Sequence, residues 1–232
     1  MIVLENIHKS FGKRRLFEGL NLVFREGRTT AILGPNASGK TTLVKTILGL
    51  VIPEKGRVMV NGKDLLKDAS YHRLIGYMPQ IPEFPENLTI REIVHMVKEL
   101  RGEDPKRLEE LVDLLMLSKE LDKRFSSLSG GTRQKVGALL ALIFDQPVLV
   151  LDEPMVGLGP ITAYRLKSFL IKEKERGKTI IYISHIMVEV EELADDIVFI
   201  TEGKVVFQGS VEDLKNSTGK DRLEEAVLCL LS

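Results

Sequence analysis

The stretch of sequence that decides the fold is Gly34-Pro35-Asn36-Ala37-Ser38-Gly39-Lys40-Thr41, a full match to the pattern G-x-x-x-x-G-K-[ST]. It follows the short apolar run 29–33, which is typical of a buried strand. It precedes Leu43, Ile47 and Leu50, whose spacing predicts the buried face of a helix. A glycine loop between a strand and a helix turns backbone N–H groups inward, so this stretch predicts a phosphate-binding loop in an α/β fold.

Three side chains of this loop have predicted roles in binding a phosphate chain. Lys40 is placed to reach the β- and γ-phosphates as a point charge, and the Thr41 hydroxyl is a suitable Mg²⁺ ligand. Thr42 is close enough to help bind the α-phosphate. The alternative is a glycine turn with an incidental lysine, and the strand and helix on either side argue against it.

Patterns before and after the loop predict an antiparallel sheet beside it. Leu20, Leu22 and Phe24 alternate with polar or solvent-facing positions, as in a strand with one buried face. The apolar residues 58–60 followed by Asn61-Gly62 predict a hairpin turn.

The remainder of the chain predicts a helical insertion and then a parallel sheet. Residues 86–126 have a helical pattern that includes Leu88, Ile93, Val97 and Leu100. Strands joined by helical material are then predicted at 148–151, 179–183 and 197–200. Strands that alternate with helices favour a parallel sheet, and residues 204–207 predict an antiparallel return.

Two carboxylates, Asp152 and Glu153, follow the apolar strand 148–151. A buried strand that ends there delivers Asp152 beside the phosphate loop, where it can hold Mg²⁺ through water. Glu153 then faces the γ-phosphate side, where it can orient and deprotonate the attacking water. The alternative is an ordinary acidic turn before Pro154, and the phosphate loop earlier in the chain favours the metal and catalytic interpretation.

A third motif is Leu128-Ser129-Gly130-Gly131-Thr132-Arg133-Gln134. Ser129 can hydrogen-bond a phosphate, while Gly130 and Gly131 expose N–H groups where a helix begins. The alternative is a serine N-cap with two flexible glycines. Because the motif stands between the phosphate loop and Asp152-Glu153, the sequence resembles the ATP-binding-cassette family, whose diagnostic segment is L-S-G-G-x-x-Q.

The resemblance covers residues 2–210 and implies the whole architecture. It implies a P-loop NTPase fold in which a RecA-like parallel sheet carries the phosphate loop, with an antiparallel β subdomain and a helical subdomain around 86–135. Residues 1–210 are then one ATPase domain, and residues 211–232 are a C-terminal helical tail.

The resemblance also assigns roles to residues outside the three motifs. Phe11 stands where the family has an aromatic residue that stacks on adenine, although a core or turn phenylalanine is the alternative. Gln80 matches the glutamine that touches the metal or its water and senses the transporter interface. His185 matches the switch histidine that contacts the γ-phosphate, and it ends a predicted parallel strand, where ligands bind.

The function implied by the resemblance is ATP hydrolysis that powers transport. Family members dimerise with ATP and Mg²⁺ held between the phosphate loop of one copy and the Ser129-Gly130-Gly131 segment of the other. The expected partners are a transmembrane permease subunit and a second copy of the chain or a homologous ATPase subunit. Two alternatives stay open, a cassette ATPase that moves nothing across a membrane and a slow nucleotide-gated switch.

Two further features bear on the branch of the family. Gly159 stands where the family usually has an aspartate that bridges the two sites, which puts the hydrolysis rate in question. Leu223, Val227 and Leu230 form an apolar stripe that is similar to the ending of drug- or copper-exporter ATPases with separate membrane subunits. A helix that docks on its own domain is the alternative explanation of that stripe.

Composition limits the partners and the compartment. The 33 Lys and Arg residues balance 33 Asp and Glu residues, so no global charge favours nucleic acid as a partner. A single cysteine, Cys229, rules out an internal disulfide and fits a reducing cytosol. The longest apolar run, 136–144, is too short for a membrane span, and residues 1–5 do not resemble a secretory signal. We therefore expect a cytoplasmic protein, peripheral on the inner face of the cell membrane.

Overall fold

The computed structural model describes residues 1–230, except for the side chain of Ala69. The strands are β1 (Ile2–Phe11), β2 (Arg14–Phe24), β3 (Thr29–Leu33), β4 (Lys55–Val60), β5 (Lys63–Asp64), β6 (Ile75–Met78), β7 (Val148–Asp152), β8 (Thr179–Ile183), β9 (Asp196–Thr201) and β10 (Lys204–Ser210). The helices are α1 (Lys40–Ile47), α2 (Ile90–Arg101), α3 (Leu108–Leu114), α4 (Gly130–Leu142), α5 (Pro160–Glu175), α6 (Met187–Leu193), α7 (Val211–Thr218) and α8 (Leu223–Cys229). Short 3₁₀ helices occupy Ala69–Leu74 and Phe125–Ser127.

A mostly parallel sheet forms the centre, with the strand order β10-β9-β3-β8-β7-β6. Strands β9, β3, β8, β7 and β6 run parallel, and β10 returns antiparallel beside β9. The carboxyl ends of the parallel strands therefore meet at one edge of the sheet, which is where α/β proteins bind their ligands. The predicted P-loop NTPase fold is confirmed.

Both faces of the central sheet are covered, which explains why β3, β7 and β8 are buried at every residue. Because side chains alternate along a strand, Leu149 and Leu151 pack into a core shared with α2 to α8, while Val148 and Val150 face the opposite core. That second core lies between the central sheet, α1 and the antiparallel sheet.

The antiparallel sheet has the order β2-β1-β4-β5, as the hairpin at Asn61-Gly62 and the alternation in β2 predict. Asn61 and Gly62 both have positive φ, which suits the tight turn between β4 and β5. Strand β1 pairs with both β2 and β4, and its last residue, Phe11, pairs with Arg14 across a two-residue turn.

The helical insertion begins with a strong start signal. Thr89 caps α2 in a capping box with Glu92, and Gly102 ends the helix with a φ of 66°. The buried residues of α2 are Ile90, Ile93 and Val94.

Three details differ from the sequence analysis. Leu50 was predicted to lie on the buried face of α1, but the helix ends at Ile47, Gly49 turns the chain with a φ of 69°, and Leu50 is 62% exposed. Leu100 was placed on an apolar stripe, but it is 79% exposed, whereas the next residue, Arg101, packs over the ring of the buried Phe144. Strands β1 and β6 were missed.

The C-terminal residues 211–230 form α7 and α8, and Leu214, Leu223 and Ala226 are buried in the same core as α5 and α6. These contacts favour a tail that docks on its own domain. Residues 231 and 232, the end of the predicted tail, lie outside the described residues. Within residues 1–230, no helix combines the length and the apolar character that crossing a bilayer requires.

Candidate functional site

The phosphate loop connects β3 to α1 and has a backbone that only glycine permits at two points. Gly34 has a φ of 144°, and a Cβ there would lie 1.9 Å from the backbone oxygen of Ile200. Gly39 has a φ of 112° at the N-cap of α1, and no side chain caps this helix. The free N–H groups at the start of α1 are therefore available to an anion.

Lys40 lies inside this loop. Its Nζ donates hydrogen bonds of 2.8 Å to the backbone oxygens of Gly34 and Pro35. Burial lowers the pKa of Lys40, and the negative charges of Glu153 and Asp152 partly oppose that shift. Among the described residues, the buried Ser38 hydroxyl has no hydrogen-bond partner. A buried ammonium and an unpartnered hydroxyl in one loop are suited to an anionic ligand.

The acidic residues predicted to face the loop lie at the ends of neighbouring strands. Asp152 is the last residue of β7 and is 2% exposed. Burial and the adjacent Glu153 charge together raise the pKa of Asp152 to about 6, against the opposing effect of Lys40 and Lys45. Glu153 has a φ of 51°, and its N–H donates to Ile183 of β8 at 3.0 Å. The His185 Nε2 lies 3.1 Å from the Glu153 Oε1, so the predicted base and the predicted switch histidine are in contact.

One cavity of about 440 Å³ brings most of the predicted site together. Its lining includes, from the predicted set, Phe11, Asn36, Ala37, Gly39, Lys40, Thr41, Thr42, Gln80, Asp152, Glu153 and His185. Gly34, Pro35 and Ser38 belong to the same loop but do not line the cavity, and the backbone oxygens of Gly34 and Pro35 accept the hydrogen bonds from Lys40. The remaining predicted residues, Ser129, Gly130 and Gly131, do not line it.

Phe11 lines the cavity from the antiparallel sheet, whereas the acidic residues line it from the central sheet, and it is 51% exposed. The Nζ of Lys9 lies 5.4 Å from the centre of its ring, which occupies one face and leaves the exposed part of the ring for a ligand. An exposed aromatic ring at a cavity wall fits the prediction of a base-stacking residue.

Sequence reasoning missed three residues that line the cavity: Arg14, Leu16 and Ile183. Arg14 pairs with Phe11 across the turn between β1 and β2, so a hairpin prediction at Gly12-Lys13 would have placed it beside the site. No motif pointed to the apolar pair, Leu16 and Ile183.

The Ser129-Gly130-Gly131 segment lies at the start of α4, outside the main cavity. Ser129 is the N-cap of α4, where its Oγ accepts a hydrogen bond of 3.2 Å from the N–H of Thr132. Gly130 lines a second cavity of about 530 Å³, which Gln80 also lines. Within a single chain, therefore, the serine acts as a cap, and its predicted role toward a phosphate requires a second molecule.

The oxygen groups in the cavity fit a Mg²⁺ ion bound together with phosphate. Thr41, Gln80 and Asp152 offer a hydroxyl, an amide and a carboxylate, which are the hard ligands that Mg²⁺ prefers. The described residues contain no group of three or more His, Cys, Asp and Glu side chains that could hold a metal ion alone. The ion would therefore depend on phosphate oxygens and water for its remaining ligands.

The phosphate loop and the Asp152-Glu153 pair share one cavity, while the serine–glycine segment faces outward from the same chain. This arrangement defines an ATP-binding cassette, a class of P-loop ATPase. In such a protein, one nucleotide site is divided between the phosphate loop of one copy and the serine–glycine segment of another.

Comparison with known proteins agrees with this class. The family model described as ABC transporter matches residues 17–156. The lantibiotic transport ATP-binding protein SrtF of Streptococcus pyogenes is 33% identical over 97% of this chain and 95% of its own length. The carnitine transport ATP-binding protein OpuCA of Listeria monocytogenes is 37% identical over 97% of this chain.

Solved structures show the same fold. The ATP-binding subunit of an ABC transporter superposes with a TM-score of 0.94 over the whole of both chains at 26% identity. A dimeric ATP-binding cassette in a post-hydrolysis state, bound to ADP and phosphate, superposes with a TM-score of 0.81 at 25% identity over 90% of this chain and 98% of its own. The chain belongs to the ABC transporter family.

The chain spans about three fifths of the length of several curated relatives that it matches, including 62% of the carnitine transport protein. The relatives include proteins named for carnitine, sulfate and lantibiotic transport. They do not single out the drug- or copper-exporter branch, which stays a prediction.

Proposed function

We propose that this chain hydrolyses ATP within a closed dimer of cassettes and so powers transport by a separate membrane-embedded subunit. The observation that carries the proposal is the 3.1 Å contact between His185 and Glu153, in the cavity that the phosphate loop also lines. In this proposal the base stacks on Phe11, and the carboxylate and its polar partner act on the γ-phosphate side of the same cavity.

The residues of the cavity have complementary roles in this reaction. Lys40 and the N–H groups at the start of α1 hold the β- and γ-phosphates. Glu153 accepts the proton of a water molecule whose oxygen attacks the γ-phosphorus, and the bond from that phosphorus to the bridging oxygen of ADP breaks. His185 holds the Glu153 carboxylate through its Nε2 and orients it toward the water.

Thr41, Asp152 and Gln80 would hold Mg²⁺ beside the phosphates. When bound, the ion neutralises negative charge on the β- and γ-phosphate oxygens. The Asp152 carboxylate gains a cation in a buried place where its ionised form is otherwise disfavoured.

The dimer completes the site. Ser129, Gly130 and Gly131 do not line the cavity of their own chain, and Ser129 and Gly130 are exposed at the start of α4. A second copy, or a homologous ATPase subunit, would supply the same segment to the phosphates of this chain. ATP between the two cassettes then favours the closed dimer, and hydrolysis reopens it.

The second cavity is the proposed contact with the membrane partner. It is lined by Ile81, Pro82, Phe84 and Arg133, and Gln80 lines both cavities. Ile81 is 72% exposed beside this groove, so an apolar side chain is available there to a partner segment. A permease segment in this groove would place the chain at the cytoplasmic face of the membrane, peripheral to the bilayer.

Glu153→Gln tests the catalytic assignment. We expect ATP binding to persist, turnover to fall by about 10²-fold or more because the base is lost, and the closed dimer to accumulate with ATP. The measurements are phosphate release and the oligomeric state in size-exclusion chromatography with MgATP. Glu99→Gln, an exposed acidic position on α2, is the matched control and should behave as the unmodified chain.

Near-normal phosphate release in Glu153→Gln would remove Glu153 from the role of base. A chain that binds no ATP would overturn the proposed function as a whole. A second candidate function, a slow nucleotide-gated switch, is favoured by Gly159 alone; dimerisation with ATP but negligible phosphate release in the presence of the membrane partner would support it.

A further inference from the structure

Arg14 is a cation in the cavity wall that none of the motifs includes. It begins β2 and pairs with Phe11, the last residue of β1, across the turn Gly12-Lys13. Its Nη2 donates a hydrogen bond of 3.1 Å to the backbone oxygen of Ala37 in the phosphate loop. The guanidinium therefore lies between the exposed ring of Phe11 and the loop that receives the phosphates.

The charge of Arg14 has no protein counterpart. Within residues 1–230, no carboxylate lies within ion-pair distance of Arg14, whereas the next residue, Arg15, pairs with Glu18 at 3.5 Å. A guanidinium has five N–H donors, and the hydrogen bond to Ala37 uses one of them. The remaining donors match phosphate oxygens, to which arginine binds in a forked geometry.

The position along the cavity decides which phosphate is within reach. Phe11 and Arg14 line the cavity from the antiparallel sheet, whereas Glu153 and His185 line it from the ends of β7 and β8 in the central sheet. With the base stacked on Phe11, the γ-phosphate is the one that extends toward Glu153 and His185. Arg14 contacts the loop at Ala37, on the Phe11 side. The phosphates nearest this side are those that ATP and ADP share.

We propose that Arg14 binds the base-proximal phosphates of the nucleotide and contributes affinity for ATP and ADP equally. This inference rests on the proposed function, because it requires that the cavity bind a nucleotide. An interaction that is the same before and after hydrolysis of the γ-phosphate lowers KM without raising kcat. Arg14 is therefore a binding residue rather than a catalytic one.

The test compares three variants of the full chain: Arg14→Ala, Arg14→Lys and the control Arg15→Ala. In isothermal titration, Arg14→Ala should bind both MgATP and MgADP about 5- to 10-fold more weakly than the unmodified chain does. A loss of this size is typical of a partly exposed hydrogen bond to a charged group. Arg14→Lys should recover part of the affinity through its charge, and Arg15→Ala should bind as the unmodified chain. In steady-state hydrolysis, KM should rise by a similar factor in Arg14→Ala while kcat changes by less than about twofold.

Each contrary result has a distinct meaning. Affinity within about twofold of the unmodified chain in Arg14→Ala would overturn the inference and leave the proposed function standing. Weakening of ATP but not of ADP would place Arg14 at the γ-phosphate and also overturn it. If Arg14→Lys binds both nucleotides as weakly as Arg14→Ala does, the charge of Arg14 does not act on phosphate, and the inference is overturned. Failure of the unmodified chain to bind either nucleotide would overturn the proposed function itself.

Discussion

The residues that carry the chemistry include some that depart from ordinary backbone geometry. Glu153 has a φ of 51° and Ala37 a φ of 60°, values that cost free energy for residues with a side chain. For Glu153 the hydrogen bond from its N–H to Ile183 holds the turn in place. Such strain is common where a side chain must be aimed at a ligand, and here it accompanies the 3.1 Å contact with His185.

Gly159→Asp tests the one position where the family pattern is absent. Gly159 is the N-cap of α5, with a φ of −63° and open space where a Cβ would stand. An aspartate fits this conformation and can accept a hydrogen bond from the first turn, so we expect stabilisation by about 0.3–0.5 kcal/mol in chemical unfolding. If this residue links the two sites of the dimer, the ATPase rate should also rise.

The control is Gly157→Asp in the same loop. Gly157 has a φ of 77°, so a side chain there should destabilise the chain by about 1 kcal/mol. If Gly159→Asp destabilises as much as the control does, the N-cap explanation is wrong. An unchanged ATPase rate would show that Gly159 does not limit communication between the sites.

Among the elements, the start of α4 depends on a close approach between two glycines. A Cβ on Gly131 would lie 2.7 Å from the backbone oxygen of Gly157, in the loop that follows Glu153. The serine–glycine segment and the loop after the proposed base therefore touch within one chain. A movement of the serine–glycine segment would therefore displace the loop after Glu153, and the reverse also holds.

Gly131→Ala and Gly130→Ala make a matched pair for this contact. Gly131→Ala should destabilise the chain by about 1–3 kcal/mol, since the added methyl group meets backbone that must shift. Gly130→Ala has open space and should be neutral or stabilise α4 by up to about 1 kcal/mol through helix propensity. Urea unfolding of both variants measures the difference, and equal stabilities would show that the close approach has no energetic consequence.

The elements also show what the sequence could predict and what it could not. Strands β3, β7 and β8 were predictable because each is a short apolar run bounded by turn residues. Strand β6 was missed because its four residues, Ile75–Met78, include a glycine and resemble a loop. Gly76 is needed there because a Cβ would lie 2.1 Å from the backbone oxygen of Ala141, a tertiary contact that no local pattern reveals.

In the site, the motifs predicted most of the residues that line the cavity, but not the contacts around Phe11, where the nucleotide base is proposed to stack. Lys40, Asp152 and Glu153 follow from fixed spacings next to strands. Arg14 and Lys9 act through contacts with Ala37 and Phe11 that depend on how the antiparallel sheet packs. The roles predicted for individual site residues stay predictions until they are tested by substitution.

At the scale of the whole molecule, a buried group of charges joins the helical insertion to the core. Glu173 of α5 is 1% exposed and pairs with Arg107, next to α3, at 2.6 Å and with Lys178, next to β8, at 2.5 Å. Burial raises the pKa of Glu173, but the neighbouring cations Lys178, Arg107 and Arg176 together hold it below its ordinary value of 4.5. Its ionised form is therefore favoured in the folded chain.

Stability should consequently fall in acid. A carboxyl whose pKa is lower when folded stabilises the chain above its unfolded pKa, and this contribution is lost as the pH falls through the folded value. Asp196 acts in the same direction, because Arg28 and Arg25 lower its pKa despite burial. We expect the free energy of unfolding to decline progressively below about pH 4.5, measured by urea unfolding across pH.

Glu173→Gln isolates the contribution of this group. The variant should lose about 3 kcal/mol at neutral pH, because it removes the buried carboxylate that three cations share and leaves Asp145 and Glu110 to balance them, and its decline in acid should be shallower. Glu175→Gln, an exposed acid on the same helix, is the control and should follow the unmodified chain. A neutral-pH stability of Glu173→Gln equal to that of the control would contradict the assignment.

The cavity has walls from two different sheets, since Phe11 ends a strand of the antiparallel sheet and the phosphate loop follows a strand of the parallel one. A nucleotide in it would therefore contact both sheets, in addition to the core that they share with α1 and the hydrogen bond from Arg14 to Ala37. The rigidity of the contact between the two sheets then changes with each cycle of nucleotide binding and release. The nucleotide cycle would reach the far strands of the antiparallel sheet as well as the dimer partner.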